Sequence, residues 1–341
     1  MVPMPDNCSK KSLVLTLKVL CSAILSERRS KELDVAFLRV VTNNEACPEY
    51  NRCNTMVTRE QGVSMQPKTK AVYFSLNEMT PSNPDTIMTA LNEAKRLTKE
   101  RGQKSVIFTS DQQLYKVAVE VQWAYPREFS DVINRLGGVH TLMSFAGAVG
   151  TLMQGSGLSE VLESTFAGVT KMLSGKKFPQ NIRAMRLLLE EMLRSTTSDG
   201  SISTMQVLLT LLDHAASASN TSKLLVDCFI KPVFIMMLYI RAERGGDWPL
   251  HLVAVKQVLP YFFASSHMKY ARYGLYYLRS MQRLVQEELS NFMKGEHVMH
   301  HVPGLWNGIW SGMFIETTFM RYGHGPGGII GITLRPETLK T

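Results

Sequence analysis

Two short apolar runs, VIFT at 106–109 and DVINRL at 131–136, flank a stretch in which Leu114, Val117, Ala118 and Val121 recur at helical spacing. A strand, a helix and a second strand in that order pair most simply as parallel neighbours with the helix packed across them. An earlier apolar run, AVYFSL at 71–76, is followed by NEMTPSNPD and then by TIMTALNEAKRLTKERG, an amphipathic helix stopped at Gly102. Residues 70–150 therefore predict a mainly parallel sheet covered by helices.

Beyond His140 strand signals nearly vanish. Apolar periodicity predicts helices near 141–153, 158–173, 180–195, 201–217, 222–243, 250–264 and 267–294, punctuated by GSG, TSDGS and RGGDWP. Residues 11–43 read as two further helices, and 42–70 as an irregular linker. The expected class is α/β, predominantly helical, in four parts: a helical segment with its linker at 1–65, an α/β core part at 66–150, an all-helical stretch at 151–305 and a closing core element at 306–341.

With 341 residues and 45% hydrophobic content the chain can bury a substantial core. LVLTLKVLCSAIL at 13–25 is broken by Lys18 and followed by SERRSKE, unlike a cleaved leader, and FIKPVFIMMLYI at 229–240 is too short for a membrane span. Five cysteines form no disulfide framework, which suits a reducing, intracellular compartment, and CPEYNRC lacks the second ligand pair of a zinc knuckle. The 38 lysines and arginines outnumber the 29 acids, for a net charge of +9, and this balance favours polyanionic partners. Neither a phosphate-binding GxxxxGK[ST] loop nor a GxSxG nucleophile elbow occurs, and no small-molecule cofactor is indicated.

Asp111 follows a strand, where open α/β sheets place their ligands. It could equally cap the next helix, although Ser110 and Gln113 already compose an S-x-x-Q capping box. His140 follows the next strand and the pair Gly137 and Gly138, which would let backbone approach a phosphate. Glu316 lies within the apolar, aromatic WNGIWSGMFIETTFM, where a buried carboxylate calls for a partner such as Arg321 or a cation. Arg272, Tyr276, Arg279 and Arg283, at offsets 0, 4, 7 and 11, form a basic stripe able to follow a phosphate backbone. A solvated face whose tyrosine packs on a neighbour is the competing reading.

Three stretches, VIFTSDQQLYKVAVEVQW, RLGGVHTLMSFAGAVGTLMQGSGLSEVL and GMFIETTFMRYGHGPGGIIGIT, together resemble a large family of multicopy animal proteins derived from mobile elements, over about residues 70–341. More distantly, the chain resembles transposases with a ribonuclease-H-like core, including the Mutator-like group, which often carry an all-helical insertion before the last acid. That resemblance implies a partial ribonuclease-H-like core, with Asp111 as second acid, Glu316 as third, both holding Mg²⁺, and His140 orienting phosphate or water. Two Mg²⁺ ions about 4 Å apart around a scissile phosphate need several carboxylates. The first acid of the pattern, in an Asp-Asn-x-Asp element, does not occur here, and the chain ends at Thr341, 25 residues after Glu316. The expectation is a transposon-derived protein with a degenerate, inactive or fragmentary nuclease domain, a DNA partner and a nuclear location. A non-catalytic helical module binding nucleic acid or protein is the alternative.

Overall fold

The computed structural model describes residues 67–72, 79–197, 205–300, 302–303 and 307–321. The helices expected within 11–43, Cys47 and Cys53, most of the strand expected at 71–76 and the glycine-rich segment 324–332 lie outside them. The described residues are mostly helical with few strands, and they divide between two compact units. An α/β unit lies within Met65–Met143, Arg241–Trp248 and Arg272–Thr341, and a helical unit within Ser144–Ile240 and Pro249–Ala271.

The α/β unit begins with α1 (Pro84–Glu100). Asn83 caps it by accepting from the Asp85 backbone N–H at 3.0 Å, Pro84 stands in the first turn, and Gly102 at φ +71 carries the chain past its end. Then follow β1 (Val106–Ser110), α2 (Gln112–Ala124) and β2 (Val132–Leu136). The strands pair in parallel, in register from Val106 with Val132 to Ser110 with Leu136. Ile87 and Leu91 of α1, Val117, Ala118 and Val121 of α2, and Val106, Phe129 and Val132 form one buried cluster, with Leu114 packed at its edge. Each of these side chains other than Ala118 contributes roughly 1.5–3 kcal/mol on burial. Every residue of β2 is buried, Asn134 and Arg135 included. Inward polar groups of that kind must find partners.

Helix α3 (Gly138–Leu152) leads from β2 toward the helical unit, which continues through α4 (Leu158–Glu163), α5 (Val169–Leu173), α6 (Phe178–Thr197) and α7 (Met205–Ala218). The single helix expected over 158–173 is two, because Gly168 at φ +70 breaks it. Helix α8 (Asn220–Leu225) passes through a π-helical turn, Val226–Ile230, into α9 (Lys231–Gly245). Pro232, just beyond the turn, has no N–H to give the regular ladder. Helices α10 (Trp248–Ala264) and α11 (Met268–Met281) follow. Within the helical unit the Phe145 ring meets the edges of Tyr261 and Phe262 at 5.5 and 6.2 Å.

One buried polar side chain in the helical unit opposes this packing. Gln257 of α10 is 1% exposed, and neither its Oε1 nor its Nε2 meets a partner among the described residues. An unmet buried amide costs about 1–3 kcal/mol, so the near-isosteric Gln257→Leu is expected to stabilise the protein by about 1 kcal/mol. Thermal unfolding reads this directly, and a lowered midpoint would mean the amide is satisfied.

The chain returns to the α/β unit, which also takes in residues 241–248 and 272–300 that the sequence reading groups with its helical stretch. The helix expected over 267–294 is interrupted at 282–285, and α12 (Gln286–Met293) follows. Strands β3 (Met299–His300) and β4 (Gly308–Ile309) pair antiparallel, and the Thr69 N–H donates to the His300 carbonyl at 2.9 Å. Helix α13 (Ser311–Ile315) runs into a second π-helical turn, Glu316–Met320.

Candidate nucleic-acid interface

At the carboxyl ends of the strands, Asp111 is the cap of α2. Its backbone is extended (φ −63, ψ 174) and its Oδ1 accepts from the Leu114 N–H at 2.9 Å. The Ser110–Gln113 box expected to spare it does not form, because Ser110 still pairs with Leu136 as the last residue of β1 and so stands one position too early to cap. Gly137 of the glycine pair makes a close approach to the neighbouring strand end. Gly137 donates its N–H to the Ser110 carbonyl at 2.7 Å, and a Cβ there would stand 2.8 Å from that same oxygen. Position 137 thus joins the two strand ends.

His140 occupies the first turn of α3, half-buried. The closing element lies against that turn: a Cβ on Gly312 of α13 would fall 2.9 Å from Val139 Cγ1 and 3.9 Å from His140 Nδ1. Glu316, four residues on, is exposed rather than buried, so water meets its charge and the partner expected from its apolar surroundings is not required. Among the described residues no group of three His, Cys, Asp or Glu side chains is placed to hold a metal ion. The nearby histidines are dispersed: His297 packs against Trp248 and Phe292, and His300 Nδ1 meets Asn307 Oδ1 at 2.6 Å.

The basic stripe of α11 separates into two kinds of residue. Arg272, Arg279 and Arg283 are exposed, whereas Tyr276 turns toward α2. Its hydroxyl accepts from Trp123 Nε1 at 3.0 Å, and the two rings meet edge to face at 5.3 Å. Arg283 lies past the helix end, its N–H given to the Ser280 carbonyl, so the helical spacing holds only as far as Met281. Helix α11 contains no acid of its own, and Trp123, which meets it through Tyr276, is still 46% exposed. Trp123 escaped the sequence reading. Its place off the Leu114, Val117, Val121 face was the available signal.

Beneath this face lies a fully buried ion pair. Arg135 of β2 and Glu243 of α9 are each 1% exposed, with both carboxylate oxygens 3.1–3.2 Å from one guanidinium nitrogen. Tyr277 of α11 is buried beside them; burial pushes its hydroxyl pKa up, and the Arg135 guanidinium opposes that shift. The Tyr115 hydroxyl of α2 is raised by the same cause, first by burial and then by the neighbouring tyrosines. Its ring stands edge-on to Tyr273 and Tyr277, at 6.3 and 6.2 Å. Tyr277 thereby seats α11 on the ion pair of β2 and α9, while Arg272 and Arg279 of the same helix are exposed.

No curated protein and no solved structure matches the chain. A family model describing a domain of unknown function matches residues 50–209 and 190–341. Among the described residues no helix is long and apolar enough to cross a membrane.

Proposed function

We propose that this chain, which belongs to the family of the domain of unknown function DUF8702, is a non-catalytic nucleic-acid-binding protein of transposon origin. In this reading the α/β unit is the remnant of a ribonuclease-H-like core interrupted by helices, DNA is the partner and the nucleus is the working compartment. The observation that carries it is the set of exposed arginines on and just past α11, Arg272, Arg279 and Arg283, on a helix that carries no acid of its own and holds the half-exposed ring of Trp123 through Tyr276, in a protein of net charge +9. Arginines neutralise phosphates and release counterions, and an exposed aromatic stacks on bases irrespective of sequence. The cap role of Asp111 supports the non-catalytic part, since that carboxylate is already engaged with the Leu114 N–H.

Binding of single- and double-stranded DNA measured against salt tests this. Affinity is expected to fall steeply with salt, and replacing the three arginines by alanine is expected to reduce the slope by about one for each phosphate no longer neutralised. Mg²⁺ is expected to weaken binding as any added salt does and never to strengthen it, and Asp111→Asn is expected to leave binding unchanged, because asparagine caps a helix as well as aspartate does. Absence of binding at low salt would remove the reading. Mg²⁺-dependent cleavage that Asp111→Asn abolishes would restore the metal-holding role for Asp111 and Glu316.

A further inference from the structure

We infer that the exposed face of α11 takes a single nucleic-acid strand in preference to a duplex, an inference that rests on the nucleic-acid reading above and narrows its substrate class. The helix has one exposed sector, and the helical period fixes which residues share it. Arg272 and Arg279, two turns apart, occupy its middle. Tyr276, whose hydroxyl holds Trp123 of α2, borders them on one side, and Leu275, 49% exposed, borders them on the other. The cations therefore form a row one side chain wide between apolar flanks.

The flanks decide which polyanion fits. Trp123 already donates its N–H to Tyr276, so what it offers a ligand is the ring alone. A ring and an aliphatic side chain give a phosphate nothing in place of its water, whereas the faces of bases pack on both. In a duplex those faces are stacked inside, and a second line of phosphates runs beside the first. That second line would leave the arginine row and pass over the flanks, toward the acids that border α11: Glu120 of α2 stands beside Tyr273, and Glu287 and Glu288 of α12 follow Arg283. A single strand carries one line of phosphates, and its unstacked bases are free to turn to either side. Phosphates on Arg272 and Arg279, with bases against Trp123 and Leu275, satisfy the charge and the apolar surface together.

The full chain, titrated at low salt with an oligodeoxynucleotide that cannot pair with itself and with the same oligonucleotide annealed to its complement, tests this. The single strand is expected to bind about tenfold more tightly than the duplex, the effect of roughly one base stacked on an aromatic ring. Trp123→Ala and Leu275→Gln are each expected to narrow that difference, Trp123→Ala the more. Position 275 is exposed and glutamine is a good helix former, so the second variant reads contact with the strand and not folding. Equal affinities, or a tighter duplex, overturn the single-strand inference and leave the nucleic-acid reading standing. A full difference retained in both variants also overturns it, and no binding to either probe overturns both.

Discussion

Glu243→Leu is expected to lower the stability of the α/β unit by roughly 3–5 kcal/mol, because it leaves the Arg135 guanidinium charged and buried without its carboxylate. Both partners are 1% exposed, so no water replaces the lost oxygens. The pair itself is a weak source of net stability, since bringing two ions out of water costs nearly what their attraction returns. The double variant Arg135→Met with Glu243→Leu is therefore expected to recover most of the loss. Urea unfolding of the wild type, the single and the double variant checks this. A single variant as stable as the double would mean that solvent reaches Arg135. Because Tyr277 is buried beside the pair, the single variant is also expected, on the nucleic-acid-binding function proposed above, to weaken DNA binding by loosening α11, although neither residue touches the surface.

Gly150→Ala is expected to destabilise the helical unit by about 2–3 kcal/mol, the upper part of the range for overpacking. At an open helix position the same change gains about 0.5–1 kcal/mol, so the sign itself is informative. A Cβ at Gly150 would lie 2.2 Å from the Leu173 carbonyl oxygen and 3.0 Å from its carbon, and backbone atoms cannot rotate aside. Helix α3 and the end of α5 would have to separate. A Cβ at Gly147, one turn earlier, would stand 3.2 Å from the Ser174 carbonyl oxygen, and that position is expected to tolerate alanine better. Calorimetry separates the cases: a melting temperature of Gly150→Ala at or above the wild type would contradict the close approach.

The runs VIFT and DVINRL, with the helical spacing of Leu114 to Val121 between them, were enough to read a parallel pair with a covering helix, since period and order are local properties. Legibility stopped where one residue type has two uses. Ser110 and Asp111 both cap helices well, and only the pairing of Ser110 with Leu136 assigns the cap to Asp111. Glu316 looked buried by its neighbours in sequence, yet Ile315 and Thr317 on either side of it are exposed as well, because an apolar composition does not say which turn of a helix meets water. In the α11 stripe the spacing was right and the roles were mixed, because Tyr276 meets Trp123, 153 residues away, and nothing local announces that partner.

By itself the sequence determined the local elements of residues 84–152, the mainly helical class and the basic balance, all of which follow from periodicity, turn residues and composition. Tertiary structure alone decided that Arg135 faces Glu243, that Gly137 closes the strand ends, and that the Asn134 amide donates to Gln122. Those pairings join residues up to 108 positions apart, and their free energy comes from excluding water from polar groups, which a one-dimensional pattern of residue types does not encode.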